Sequence, residues 1–391
     1  MGFRRFRVGV VGFGWMGKAH SRSLLRLPLI FPERELAADL VICADANALA
    51  RELATEAYGF ARASADWRDV VASDDVDIVY VASPNMTHVE IVEAAANAGK
   101  DIFCEKPVGG TPAHTMRAAS AASAAGVISG VGYNYRWAPM VQEARAIIKS
   151  GTIGDVTNYR GRFLSMYGSN PLNLLTWRYL IDEGGYGVSS DLMSHAVDLA
   201  EFLIGPLSRV VGVTETFIKE RPLPSVTSSH YTVGRASDPR GAVTNEDYAG
   251  MLGVFVNGAR ASFEASRSMV GPESQMAFEV YGTEGALSWN LERMSELNLF
   301  VRSDGRHAGW RTIFGGDRFP YHGNFVPGNA NGIGFEDLVT IEDLEYLDSV
   351  AQRRPHHPGF DDALRFVTVQ AALLRSVASS HWEEIGSLEM T

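Results

Sequence analysis

The chain has almost no cysteine. Its 391 residues include two, Cys43 and Cys104, each inside an apolar run. They read as buried thiols, and a disulfide framework is excluded for a chain of this length. Long apolar runs are also missing. No stretch approaches 18 uninterrupted apolar residues, so no membrane span is expected. An excess of positive charge is absent as well: the net charge is −11 and the pI about 5.4. That balance argues against nucleic acid or an anionic membrane as the main partner. Neither low-complexity tracts nor internal repeats are found. Arg4, Arg5 and Arg7 precede an apolar patch, as a leader would arrange them. The patch is short, broken by glycines, and runs into Lys18 and His20 without a small-residue cleavage site. The cytoplasm is the expected location.

What is present is ordinary globular composition, 46% hydrophobic and 21% charged, in a chain longer than one core usually serves. Two domains are therefore expected. In the first third, short apolar runs alternate with helical patterns. The strands are expected at Phe6–Val11, Leu40–Ala44, Ile78–Val81, Ile102–Cys104 and Val127–Gly132. Helices are expected at Ala48–Tyr58, Val89–Ala98 and Pro112–Ala125. Near-continuous apolar strands between helices predict a parallel sheet covered on both faces. After Trp137 the period changes. A helix over Pro139–Ser150 and one near Ser190–Ile204 frame runs such as "RASFEASR" and "QMAFEVYG", which alternate apolar and polar residues. They predict a mostly antiparallel sheet with one face buried. Helices around Leu338–Ala351 and Gly359–Ala378 close the chain. The expected fold class is α/β: a dinucleotide-binding domain over residues 1–137 and a second α/β domain over 138–391, with the last helices free to pack back on the first domain.

"VGVVGFGWMGKAH" sets Gly12, Gly14 and Gly17 in a G-x-G-x-x-G spacing directly after the first strand. The first glycine permits a tight turn, the second lets backbone approach a pyrophosphate, and the third brings helix close to strand. Phe13, Trp15 and Met16 belong to the same turn, where the helix N-terminus directs free N–H groups at phosphate. The second strand ends at Asp45. A carboxylate there would accept from the adenine ribose hydroxyls and repel a 2′-phosphate, and neither Ala46 nor Asn47 supplies a cation. NAD is therefore the expected cofactor, rather than NADP. The interval from Gly17 to Asp45 is longer than the roughly 20 residues usual for this motif, which would make "LPLIFPEREL" an inserted loop.

Ligands of such sheets sit beyond the carboxyl ends of the strands. One strand ends in "ASPNMTH", giving Ser83, Pro84, Asn85 and His88 as cofactor-side candidates, with the Asn85 amide toward the nicotinamide ribose. The next ends in "FCEKP", which puts Glu105 and Lys106 where the nicotinamide would lie; a cis bond at Pro107 would be one way to aim Lys106 inward. The bland alternative is a solvated lysine after an edge strand.

In "GGYGVSSDLMSHAVDLAEFLIG", Asp191, His195 and Asp198 fall at i, i+4 and i+7, on one face of a single helix that Ser189 or Ser190 would cap. Three readings stand for this stripe. It is an acid/base site with His195 as base and Asp191 binding substrate, a metal site built on Asp-x3-His-x2-Asp, or a capped and solvated polar face. Aromatic and hydrogen-bonding residues cluster in "YNYRWAP" (Asn134, Tyr135), in "TWRYLIDEGGYG" (Arg178, Tyr186) and in "RFPYHGNF" (Tyr321, His322). They suit a carbohydrate or simple packing between domains.

Taken together, "GFGWMGKAH", "ASPNMTH", "CEKPVGGT", "GYNYRWAP", the Asp191–His195 helix and "VYGTEGALSW" resemble, in order and separation, the Gfo/Idh/MocA oxidoreductases along essentially the whole chain. The resemblance implies a Rossmann domain and an α/β domain whose open sheet mediates dimers or tetramers. It implies that Lys106 contacts the substrate hydroxyl and the nicotinamide ribose, and that Asp191 and His195 bind and deprotonate substrate. Lys106, Asn134, Tyr135, Arg178, Asp191 and His195 are the substrate-side candidates. The expected activity is NAD-dependent oxidation of a secondary hydroxyl on a cyclic sugar or polyol: an inositol, a pyranose or an anhydrosugar such as levoglucosan. The alternatives are a member that cycles bound NAD internally, as a hydrolase or reductase, and a non-enzymatic NAD-sensing regulator.

Overall fold

The computed structural model describes residues 2–224 and 231–386, apart from the side chains of residues 303 and 304. The chain forms two compact units. The first takes in the chain through Gly109, Ala113–Trp137 and Ile333–Leu364; the second takes in Gly110–Pro112, Ala138–Gly332 and the chain from Arg365 on.

The first unit is built on a six-stranded sheet of β1 (Arg4–Val11), β2 (Leu36–Ala44), β3 (Arg62–Ser64), β4 (Ile78–Val81), β5 (Asp101–Cys104) and β6 (Ser129–Val131). Its order is β3-β2-β1-β4-β5-β6, and every pairing is parallel. This is the doubly wound order whose chain reversal lies between β1 and β4. β4 and β5 are buried at every position, as strands covered on both faces must be. β3 is the strand that sequence patterning missed. Three half-exposed or exposed residues carry no period.

The stretch "LPLIFPEREL" is not an inserted loop. The first helix runs on through it from Trp15 to Ile30, with Pro28 inside its last turn. A single 3-10 turn, Pro32–Arg34, then leads into β2, which begins at Leu36. A full-length helix and a nine-residue strand therefore account for the long interval to Asp45. The helix Phe335–Gln352 lies against the first helix of the same unit. In the same unit Arg136 reaches Asp362 at 3.1 Å, both side chains being buried.

The second unit carries a nine-stranded sheet, β16-β15-β14-β13-β7-β12-β11-β8-β17. Its strands are β7 (Val156–Leu164), β8 (Leu207–Glu215), β11 (Tyr248–Phe255), β12 (Arg260–Ser266), β13 (Gln275–Gly282), β14 (Gly285–Asn290), β15 (Glu296–Val301), β16 (Arg311–Phe314) and β17 (Glu383–Glu384). β9 (Glu220–Pro222) and β10 (Arg240–Ala242) form a separate ribbon. All pairs of the large sheet are antiparallel except β7 with β12. Along β12, Ala261, Phe263 and Ala265 are buried while Ser262 and Glu264 are half-buried. That alternation is what a sheet covered on one face produces. Helix Met193–Leu203 covers this face, packing on β7, β12 and β13.

Candidate active site

In the first unit the glycine turn is shaped by close approach. Gly12 has φ +90°, and a Cβ there would come within 2.6 Å of Ala82 O and Ser83 N. A Cβ on Gly17 would meet Gly12 O at 2.0 Å, so helix and strand touch only because that side chain is missing. A Cβ on Gly14 would meet nothing within 4 Å. Gly14 is also the N-cap of helix Trp15–Ile30 and has no side-chain cap. Open space in front of uncapped helix N–H groups is the arrangement a dinucleotide pyrophosphate needs, and the residues fit NAD. The Phe13 ring is buried against Tyr58 and Phe60, with centroids 5.0 and 5.7 Å away, which leaves that residue's part in the turn to its backbone. Trp15 is exposed and stacks on Phe335 at 5.1 Å; Met16 is half-buried.

Asp45 stands at the end of β2 and touches this turn: its Oδ2 accepts from Phe13 N at 2.7 Å, and its Oδ1 accepts from Asn47 N at 2.8 Å. Arg51, which sequence reading passed over, donates from Nη1 to Asp45 O at 2.7 Å and to Ala46 O at 2.9 Å.

The loops after β4 and β5 are tied to each other by His88. Its Nδ1 lies 2.9 Å from Pro107 O and its Nε2 lies 2.7 Å from Ser83 O. Burial lowers its pKa. Its place is that of a clasp between loops. Asn85 is buried in the turn Asn85–Thr87. Glu105 continues the β5 ladder, its N–H donating to Val81 O at 2.8 Å. Its Oε2 accepts from the Lys106 N–H at 3.1 Å. The Lys106–Pro107 peptide is cis. Asn134 and Tyr135 are buried in the 3-10 turn Asn134–Trp137.

In the second unit the expected single helix is two. Val188–Asp191 forms a four-residue helix, and Met193–Leu203 follows after Leu192. Asp191 therefore does not share a continuous helical face with His195 and Asp198. Neither serine caps: Gly187 is the N-cap, and Ser189 and Ser190 lie inside the short helix. The cause lies in the neighbouring loop. Glu246 Oε1 takes the Ser189 N–H at 2.9 Å, and a Cβ on Gly187 would stand 2.0 Å from Glu246 O. Ser190 Oγ instead accepts from Gln370 Nε2 at 2.7 Å. The solvated-face reading is also corrected, because His195 is 6% and Asp198 5% exposed. Among the described residues no group of three or more His, Cys, Asp or Glu is placed to hold a metal ion.

Tyr167 and Arg178 both hold Asp191. Tyr167 donates its hydroxyl to Oδ2 at 3.0 Å, and Arg178 Nη1 lies 3.3 Å from Oδ1. Burial, with Asp191 beside it, pushes the Tyr167 phenol well above its usual pKa, so it remains a donor. Arg178 in turn is fixed through its carbonyl, which accepts from Arg267 Nη1 at 3.2 Å and Asn245 Nδ2 at 3.0 Å. Arg267 is buried and paired with buried Asp247 at 2.7 Å. Together with buried Arg221 it packs against the ring of Tyr179, at 4.6 and 4.0 Å. A buried arginine needs partners on most of its donors, and Arg267 has them in the Asp247 carboxylate, the Arg178 carbonyl and the Asn245 side chain. Tyr167 and Arg267 carry no local sequence signal. Tyr186 is half-buried. Tyr321 takes φ +65°, and His322 Nε2 bonds Asn331 O at 2.6 Å.

Comparison with known proteins matches residues 6–133 to the oxidoreductase family with an NAD-binding Rossmann fold and residues 141–288 to the GFO/IDH/MocA C-terminal domain. The chain is 35% identical over 388 residues to the levoglucosan dehydrogenase of Pseudarthrobacter phenanthrenivorans, covering 98% of each. It is 25% identical over 373 residues to the inositol 2-dehydrogenase of Rhizobium meliloti, covering 95% of this chain and 97% of that one. Among solved structures, a levoglucosan dehydrogenase in complex with NADH and levoglucosan superposes with a TM-score of 0.92 at 32% identity. It covers 98% of this chain and 100% of that one.

Proposed function

The chain belongs to the GFO/IDH/MocA family of NAD-binding oxidoreductases, and from that membership we propose that it oxidises a secondary hydroxyl of a cyclic sugar or polyol to the ketone. An anhydrosugar of the levoglucosan type is the first substrate to test, because end-to-end likeness at 35% identity exceeds the likeness to the inositol enzyme. The observation that carries the reading is the joint presence of Lys106 at the end of β5 and of Asp191 and His195 about the helix break. An NAD-binding protein without a reaction to run needs none of the three.

Bound NAD supplies the hydride acceptor. His195 takes the hydroxyl proton as the C–H bond breaks. Lys106, as an ammonium, donates to the same oxygen and stabilises the negative charge that grows on it. Asp191 accepts from a neighbouring substrate hydroxyl, with Tyr167 and Arg178 holding its carboxylate in place. The glycine turn and Asp45 orient the dinucleotide. The same reading puts a second copy of the chain on the large sheet, where Val213 and Leu252 are exposed, and puts the reaction in the cytoplasm, where the free dinucleotide pool is. Light scattering tests the assembly.

The test of the function is absorbance at 340 nm with NAD and a panel of levoglucosan, inositols, free pyranoses and glycosides. NADH accumulating with one of them is the expected outcome. No turnover with any of them, in protein that binds NAD, would overturn the reading.

A further inference from the structure

Beneath the Glu105–Lys106 segment lies a charged group that the reaction does not use. His20 sits on the inner face of helix Trp15–Ile30 and is 1% exposed. Its Nδ1 lies 2.9 Å from Asp343 Oδ1, and its Nε2 lies 3.1 Å from Glu105 Oε1. Asp343, on the helix Phe335–Gln352, is fully buried, and the Glu105 side chain is 10% exposed. The rings of Phe103 and Tyr80 flank the imidazole at 4.9 and 5.3 Å.

The protonation of this group follows from its partners. An ionised carboxylate has lone pairs and no proton to give. Each ring nitrogen faces a carboxyl oxygen, a setting that favours a hydrogen on both nitrogens and an imidazolium. Burial opposes that charge, but the two carboxylates outweigh it and hold the pKa well above the ordinary value. A buried ion pair adds little net stability over an apolar replacement, so its retention calls for another reason.

That reason is found on the other oxygen of Glu105. Oε1 is taken by His20, and Oε2 accepts the Lys106 N–H at 3.1 Å. Gly132 admits the carboxylate: a Cβ there would stand 2.8–2.9 Å from its atoms. Glu105 therefore cannot turn without losing either the imidazolium or the lysine amide. The imidazolium in turn joins the helix that opens at the glycine turn to the helix Phe335–Gln352.

We propose that His20 is a positioning residue for Lys106, acting through Glu105 to fix the backbone from which the ammonium projects. The proposal rests on the reading of Lys106 as the active-site ammonium. His20 contacts neither substrate nor cofactor in this scheme; it sets the geometry that Lys106 needs when charge develops on the substrate oxygen. Displacements of about 1 Å in such a group are enough to cost on the order of 10²-fold in rate.

The experiment compares His20→Gln, Glu105→Gln, the double variant and Lys106→Met by kcat, substrate KM and NAD dissociation constant. The expected result is a fall in kcat of about 10²-fold for each of the first two, larger than any loss of NAD affinity. The double variant should lose no more than the worse single, because both act on one lysine. Additive losses would overturn the proposal. So would a His20→Gln enzyme of full kcat, or one that loses only NAD affinity. Should His20→Gln fail to fold, Asp343→Asn paired with Glu105→Gln carries the same comparison. Lys106→Met separates the two claims. If it keeps full turnover, the role assigned to Lys106 is wrong whatever His20 does. If it abolishes turnover while His20→Gln does not lower it, only the positioning role falls.

Discussion

The Phe13 amide donates to Asp45 Oδ2 at 2.7 Å, so the glycine turn and the acidic end of β2 are one hydrogen-bonded piece. The carboxylate expected to choose between dinucleotides also holds the turn expected to cradle them. Arg51 stands on the other side of the same residue, its Nη1 on the carbonyls of Asp45 and Ala46.

Asp45→Ser should therefore act twice. It removes an ionised acceptor, worth about 1.5–3 kcal/mol in hydrogen bonding, so kcat/KM for NAD should fall by roughly 10- to 100-fold. It also takes the negative charge from beside Arg51, leaving that cation uncompensated at the end of β2. The ratio of kcat/KM for NADP over NAD should rise. Steady-state kinetics with both dinucleotides checks this, and an unchanged ratio would show that Asp45 is not the discriminating group.

Replacing His195 with alanine should separate chemistry from binding. Loss of a general base typically costs about 10²–10⁴-fold, and kcat should fall in that range. NAD binding, followed by titration, should stay near the parent value, since His195 belongs to the second unit and the glycine turn to the first. A variant that turns over at the parent rate would remove His195 from the mechanism.

Part of this site is legible in the sequence. Gly12, Gly14 and Gly17, Asp45 and the "CEKP" run are local patterns, each set by what one turn or one strand end requires. The burial of His195 was not legible, because the alternation of acid and imidazole looks the same on a wet face and a dry one. The helix break at Leu192 was hidden for a related reason. Glu246, a residue far along the chain, captures the Ser189 amide at the start of the short helix, a tertiary contact with no local pattern. His20 was visible inside the glycine motif, yet its partner Asp343 lies 323 positions away, and no local period links them. Arg267 and Tyr167 are similar, acting on Asp191 through tertiary contacts alone.

Tyr167→Phe tests the hold on Asp191 in isolation. The change deletes one hydroxyl, leaves the ring, and costs about 1 kcal/mol if the bond is an ordinary one. Asp191 keeps Arg178, so the carboxylate loses orientation and not charge. Substrate KM should rise about fivefold while NAD affinity stays constant. A change confined to NAD affinity would move Tyr167 out of the substrate site.

Two buried histidines of the first unit should pull stability in opposite directions with pH. Burial lowers the pKa of His356 to about 3, and its Nε2 is buried with no hydrogen-bond partner, so the folded state keeps it neutral. The unfolded chain binds a proton near pH 6.5. Below that value the unfolded state gains protons that the folded state refuses, and stability falls as pH drops from about 6.5 toward 3. The loss reaches about 3 kcal/mol by pH 4, at 1.36 kcal/mol for each pH unit. His20 has the reverse sign. Its folded pKa is raised, so its contribution is complete below pH 6.5 and fades only as pH climbs through the raised value. Denaturant midpoints measured from pH 4 to 8 on the parent and on His356→Gln should therefore converge as the medium becomes acidic, because the variant has no neutral imidazole to protect. Parallel curves would mean that His356 binds its proton in the folded protein as readily as in the unfolded chain.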